Sequence, residues 1–332
     1  MKRWTRCVPL LLMTALSACV RLHAPDPFVL GEKSISTRSG SAEVVTQIPA
    51  HSVAGTAEPA LGTAPSGPDD DDHAWVRVRT ASPNDPVKGV CVLMPGILGS
   101  HSSPTCERNL RGDGWHVVVV APPLVSAVLA ELRGADAGNP ADLGDRGARV
   151  GRAVDAVVCR AAELARREVE TLRSGDGSLA RKPVIFVGES LGALLGVGVV
   201  ATGRIDCDAA LFVAGGGSLL DVAAESSIRR ILFGDLPIDE PAFRGAFAAT
   251  SRFDSLAAAE RLRGCPVVCV TADIDIIVPT PAQEALWAAL GQPPRYRFDG
   301  GHLELFVFAE WNIMPAVREV ASRAVASLPS AP

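Results

Sequence analysis

Three residue types in this 332-residue chain have the chemistry and the setting for acyl transfer: a serine, a histidine and an aspartate. Ser190 lies in Gly188-Glu189-Ser190-Leu191-Gly192, between the β-branched run Val184 to Val187 and a small-residue stretch reaching Val200. A G-x-S-x-G spacing between a strand and a helix places the serine on a tight turn, because a side chain at either glycine would collide with the neighbouring strand or helix. The helix N-terminus also sets the Leu191 amide toward a developing negative charge. A serine hydroxyl becomes a useful nucleophile only when a base takes its proton. Of the six histidines, His23, His51 and His73 fall in an N-terminal region without periodic pattern, which leaves His101, His116 and His302. His302 ends Asp299-Gly300-Gly301-His302, a segment expected to be a flexible loop between the strand Arg295 to Phe298 and the final helix. An imidazole there can take the serine proton, and a loop lets it reach over a sheet edge. His116 opens a strand and reads as structural, and His101 is the second choice. Two carboxylates, Asp273 and Asp275, follow the run Pro266 to Thr271 and compete to orient the histidine.

The elements that must position these residues alternate along the chain. Trp75 to Thr80 alternates as a half-buried strand does. Gly89 to Met94, His116 to Ala121, Val184 to Val187, Ala209 to Val213 and Pro266 to Thr271 are continuous apolar runs. Such runs, separated by helical stretches such as Arg149 to Arg173 and Pro315 to Leu328, predict a mostly parallel sheet covered by helices on both faces. At 48% hydrophobic residues the chain is too apolar to be wholly disordered, and a formal charge of −5 excludes a nucleic-acid partner, which asks for a basic balance. Gly215-Gly216-Gly217 lacks the dinucleotide-binding spacing, and Cys265-x-x-x-Cys269 runs into a strand rather than a zinc loop, so neither a cofactor nor a metal is expected. The run Asp69 to Asp72 reads as solvated.

With these residues in place, 75–332 resembles the α/β-hydrolase superfamily, whose chain order is Ser190…Asp275…His302. The resemblance implies an α/β fold and favours Asp275 over Asp273, since Asp275 opens a D-x-x-V-P arrangement ending at Pro279. It also implies an oxyanion hole of backbone amides from Leu191 and from the loop Met94 to Ser100. Ile97 is the donor there, with Leu98 as its alternative. The sequence departs from the family pattern with Pro95-Gly96 where His-Gly is frequent, and with Glu189 and Ala193 in the elbow. The span Asp221 to Leu262 stands where the family inserts a cap; it reads equally as a small helical lid or as amphipathic helices packed on the sheet. Cys207 and Cys265 each precede strands that neighbour one another in this fold, which implies a disulfide between them. The function so implied is a serine hydrolase acting on small-molecule or lipid carboxylic esters. Amide or peroxidase chemistry on the same residues and a non-catalytic envelope-binding module are the alternatives.

The N-terminus carries a different signal. Lys2, Arg3 and Arg6 precede the apolar segment Cys7 to Ala18, which is shorter than the about 20 residues a transmembrane helix needs. It ends in Leu16-Ser17-Ala18-Cys19, which resembles the lipobox of bacterial lipoproteins. That resemblance implies a signal peptide over 1–18, lipidation of Cys19, and a cell-envelope location held to the membrane by acyl chains, with Val20 favouring the outer membrane. Removing 1–18 takes away three basic residues and no acidic one, so the formal charge moves from −5 to −8. Residues 19–74, rich in Pro, Ala, Gly, Ser and Thr, read as a flexible tether. Within it Glu43 to Ile48 and Phe28 to Leu30 are the pieces able to form edge strands.

Overall fold

The computed structural model describes residues 34–38, 41–47, 75–81, 86–96, 104–121, 142–227, 229 and 237–327, the first two segments by backbone alone. The expected signal peptide and Cys19 lie outside the described residues. Nine described strands form one sheet: β1 (Ser34–Arg38), β2 (Ser41–Gln47), β3 (Trp75–Arg79), β4 (Gly89–Met94), β5 (Trp115–Ala121), β6 (Val184–Glu189), β7 (Ala209–Val213), β8 (Val267–Ala272) and β9 (Arg295–Phe298). Their spatial order is β1-β2-β3-β5-β4-β6-β7-β8-β9. From β5 to β9 every pairing is parallel, whereas β3 joins β5, β2 joins β3 and β1 joins β2 antiparallel.

The tether reading of 19–74 therefore needs correction. β1 and β2 fall inside that span, Glu43 pairs with Arg79, and the compact unit begins at Ser34. The strand expected around Glu43 is present as β2, but its hairpin partner is Ser34–Arg38 rather than Phe28 to Leu30. A strand that extends an existing edge takes its hydrogen bonds from the backbone, so its sequence need not carry an apolar period.

Ten described helices cover the sheet: α1 (Pro104–Gly112), α2 (Leu143–Gly175), α3 (Leu191–Ala201), α4 (Leu219–Glu225), α5 (Pro241–Thr250), α6 (Ser255–Ala259), α7 (Thr280–Ala289), α8 (His302–Val307), α9 (Ala309–Asn312) and α10 (Met314–Ser327). Because successive side chains of a strand point to opposite faces, the central strands feed two cores. Val90, Val92 and Phe186 pack with α2, α3 and α5, while Cys91, Leu93, Ile185 and Val187 pack with α1 and α10. This two-sided burial is why these strands read as unbroken apolar runs.

Within 221–262, the described helix α5 is a packed helix. Phe243 and Phe247 are buried in the same core as Val150 and Val154 of α2. The two helix backbones approach at glycines: a Cβ on Gly147 would stand 2.2 Å from the Phe243 carbonyl oxygen, and one on Gly151 would stand 3.1 Å from that of Phe247. The turn after α5 is tied to α2 by Asp155, whose carboxylate accepts from the Arg252 and Phe253 amides and from the Ser251 hydroxyl.

Asp254, just ahead of α6, accepts from the Leu219 amide at 2.9 Å and so caps α4 from a buried position. Burial pushes its carboxyl up to about 6, above the usual carboxylate range, against the pull of the amides it accepts from. A carboxyl raised in the folded state holds its proton more readily folded than unfolded. Its contribution to stability is therefore full below the unfolded value of about 4 and is lost as pH rises to about 6. Unfolding free energy from urea titrations is expected to drop by roughly 2–3 kcal/mol across that window through this group alone. Asp254→Asn should flatten the slope there; equal slopes in the two proteins would refute the assignment.

Candidate active site

Strand β6 runs into α3 through Ser190, whose backbone sits at φ 53° and ψ −114°, a region that a residue with a side chain rarely enters. The turn needs its glycines. A Cβ on Gly192 would lie 2.1 Å from the Met94 carbonyl oxygen at the end of β4, so only a bare α-carbon lets the helix start this close to the neighbouring strand. Gly96 borders the serine on the other side; a Cβ there would lie 3.2 Å from Ser190 Cβ.

The structure brings Ser190, His302 and Asp275 together at the carboxyl ends of the parallel strands. His302 Nε2 lies 2.9 Å from Ser190 Oγ, and His302 Nδ1 lies 2.6 Å from Asp275 Oδ2. All three side chains are buried. An ionised carboxylate can only accept, which fixes the roles: Nδ1 donates to Asp275, leaving the Nε2 lone pair to accept from the serine hydroxyl. Asp275 is itself held by backbone, its Oδ1 accepting from the Ile277 and Val278 amides at 2.8 Å each. Asp273, the competing carboxylate, instead pairs with the Arg297 guanidinium at 3.0 Å, and its carbonyl accepts from the Thr280 hydroxyl.

His302 differs from its expected setting. It is the first residue of α8 rather than part of a flexible loop, because the Glu304 carboxylate accepts from the Gly301 amide at 2.9 Å and caps the helix start. The Phe306 ring stands 5.2 Å from the imidazole, centroid to centroid. Main-chain bonds from Asp273 to Phe298 and from Ile274 to Gly300 lock the acid-bearing and histidine-bearing loops to each other.

Leu191 opens α3, where the first amides have no intrahelical acceptor and remain available to an anion. Ile97, Leu98 and His101 lie outside the described residues. His116 has the structural place expected of it: it is buried and its Nδ1 accepts from the Ala81 amide at 3.3 Å. No group of three or more potential metal-ligating side chains is found among the described residues.

Sequence reasoning missed Gln283. This buried side chain on α7 accepts from the Ala272 amide at 3.0 Å and donates to the carbonyls of Ala272 and Val278 at 3.2 and 2.7 Å. It thereby joins the two ends of the loop that carries Asp275. A glutamine bonding only main-chain groups leaves no partner residue to recognise in a sequence.

No protein-family model matches the sequence, and no curated protein matches it. Solved structures do share its fold. One is an acylaminoacyl peptidase from Pyrococcus horikoshii, with 14% identity and a TM-score of 0.51 over 75% of this chain; the match spans 39% of the peptidase. Another is a cold-adapted esterase from an Arctic intertidal metagenomic library, with 14% identity and a TM-score of 0.50 over 88% of this chain and 99% of the esterase. The chain has the α/β-hydrolase fold, a mostly parallel sheet flanked by helices.

Replacing Gln283 with Leu keeps the volume but strands one buried amide and two buried carbonyls. The expected loss is about 2–4 kcal/mol of unfolding free energy, measured by urea denaturation. A change within about 0.5 kcal/mol of zero would show that the glutamine does not hold this loop.

Proposed function

We propose that this protein is a serine hydrolase that cleaves carboxylic esters through an acyl-enzyme. The observation that carries the reading is the hydrogen-bonded chain from Ser190 through His302 to Asp275, with the serine on a strained strand-to-helix turn. Ser190 Oγ attacks the substrate carbonyl carbon as His302 Nε2 takes its proton. Amides of Leu191 and Ile97 bind the oxygen that gains the negative charge. The imidazolium, steadied by Asp275, then protonates the departing alkoxide and leaves an acyl group on Ser190. Water, deprotonated by His302, releases the acid by the reverse sequence.

The surface around this chain supports a substrate with an apolar portion. Seven large hydrophobic side chains are exposed among the described residues, and six of them flank Asp275 and His302. Ile274 and Ile276 border the acid; Leu303, Val307, Phe308 and Trp311 follow the histidine, with Val307 74% and Trp311 72% exposed. Concentration of exposed apolar side chains on two segments of one site marks a contact surface rather than scatter. Acyl chains or apolar alcohol groups fit it.

The reading extends to the cell envelope, with Cys19 lipidated and the hydrolase domain held at a membrane by that anchor. The lipobox-like Leu16-Ser17-Ala18-Cys19 behind a short basic and apolar leader supports it.

A fluorophosphonate probe is expected to label the wild type and not Ser190→Ala, and p-nitrophenyl ester turnover should vanish with the label. Asp275→Asn should lower kcat by about 10²–10⁴-fold while the protein stays folded. A folded wild type that neither labels nor turns over would overturn the enzyme reading, and turnover of anilides in preference to esters would replace ester with amide as the scissile bond.

On the same substrates, the Val307→Ser, Trp311→Ser double variant should lower kcat/KM on octanoyl or longer esters by about tenfold and leave acetate esters nearly unchanged. Equal losses on both would mean the rim does not contact the acyl chain. Expression of the full gene in a Gram-negative host should put the wild type in the membrane fraction and Cys19→Ser outside it.

A further inference from the structure

The amino ends of β7 and β8 carry two cysteines that the reaction does not use. Cys207 lies two residues before β7 and Cys265 two residues before β8, and the strands pair in parallel with Ala210 opposite Val267. The structure holds both as free thiols, so the disulfide implied by the resemblance is not formed in it. The two cysteines nonetheless lie side by side: the Cys265 thiol is 3.9 Å from the Cys207 carbonyl oxygen. Cys91 and Cys269 sit on β4 and β8, which β6 and β7 separate, a distance of about 14 Å at the usual spacing of strands. Cys106, on α1, is fully buried.

We propose that Cys207 and Cys265 are a disulfide site, and that the bond closes the chain excursion between β7 and β8 at its base. That excursion contains α4, α5 and α6, and the two cysteines are 58 positions apart in sequence. A cross-link over so long a segment removes much of the freedom of the unfolded chain, while adjacent parallel strands already supply the short separation a disulfide needs. The bond lies at the amino ends of the strands, whereas Ser190 and Asp275 follow the carboxyl ends of β6 and β8, so it leaves the candidate site untouched. Its closure is independent of the reaction assigned to that site.

Oxidation proceeds by exchange with a disulfide oxidant. One of the two thiols, as its thiolate, breaks the oxidant's S–S bond, expels one thiol and forms a mixed disulfide. The other thiol then loses its proton and attacks the sulfur of the first, expelling the second thiol. Two protein thiols are oxidised to one disulfide and one oxidant disulfide is reduced to two thiols.

The test uses the full chain equilibrated with glutathione disulfide, then denatured, alkylated and digested without reduction. Peptides containing Cys207 and Cys265 are expected linked to each other, and reduction should release them. The oxidised protein should melt on the order of 5–10 °C above the reduced protein. In Cys207→Ser, Cys265→Ser that difference should disappear while fluorophosphonate labelling of Ser190 persists. Recovery of both cysteines alkylated after oxidation, or linkage of either to a different cysteine, would overturn the proposal. So would a double variant that keeps the full redox-dependent shift in melting.

Discussion

The backbone at Ser190 is the constraint on which the remaining geometry depends. A residue with a side chain held at positive φ costs on the order of 1–3 kcal/mol, so the surroundings must over-determine the turn. Its amide donates to the Val213 carbonyl of the adjacent strand at 2.8 Å, and its carbonyl accepts from the Ala193 and Leu194 amides of α3. A Cβ on Gly188 would lie 2.6 Å from the Gly192 carbonyl oxygen, so the turn folds back on itself with no space to relax. Helix α3 is apolar and buried almost throughout, which removes the alternative of letting it slide outward. Strands β4, β6 and β7 are successive neighbours in the sheet, and each borders this turn.

Once the serine is fixed, the other two side chains must arrive from later strands without a choice of height. Both do so on loops locked by main-chain bonds. Asp275 is aimed by two amides of its own loop, and Gln283 closes that loop from α7. Glu304 starts the helix whose first residue is His302. Each reactive side chain is thereby held by a hydrogen bond that does no chemistry, which keeps the 2.9 and 2.6 Å distances in a buried setting where a misplaced polar group has no water to turn to.

The sequence was legible where one physical rule dominates. Strands buried on both faces must be apolar at every position, so β4 to β8 could be read within a residue or two, and the order of serine, aspartates and histidine could be read along with them. The choice between Asp273 and Asp275 turned on direction. Adjacent odd positions in a loop have the same composition signal, and only the folded loop sends one to His302 and the other to Arg297. β1 escaped because a strand at the sheet edge draws on backbone hydrogen bonds, and Gln283 escaped because its partners are peptide groups common to every sequence. The helix at His302 was read as a loop because two glycines precede it; the capping carboxylate of Glu304, three residues further on, outweighed them.

The exposed rim follows a different logic from the core. Leaving a large apolar side chain in water forgoes about 1.5–3 kcal/mol that burial would have returned. Looseness does not explain the exposure, since the segments bearing Ile274 and Leu303 are joined by the Ile274–Gly300 and Asp273–Phe298 main-chain bonds. Val307 ends α8 and Trp311 lies on α9, and the Phe308 ring lies 6.0 Å from that of Trp311 at a tilt of 41°. Under the proposed ester hydrolysis, the same side chains that forgo burial in the free protein would regain it against an apolar portion of the substrate, and the stability given up at the rim would be returned on binding.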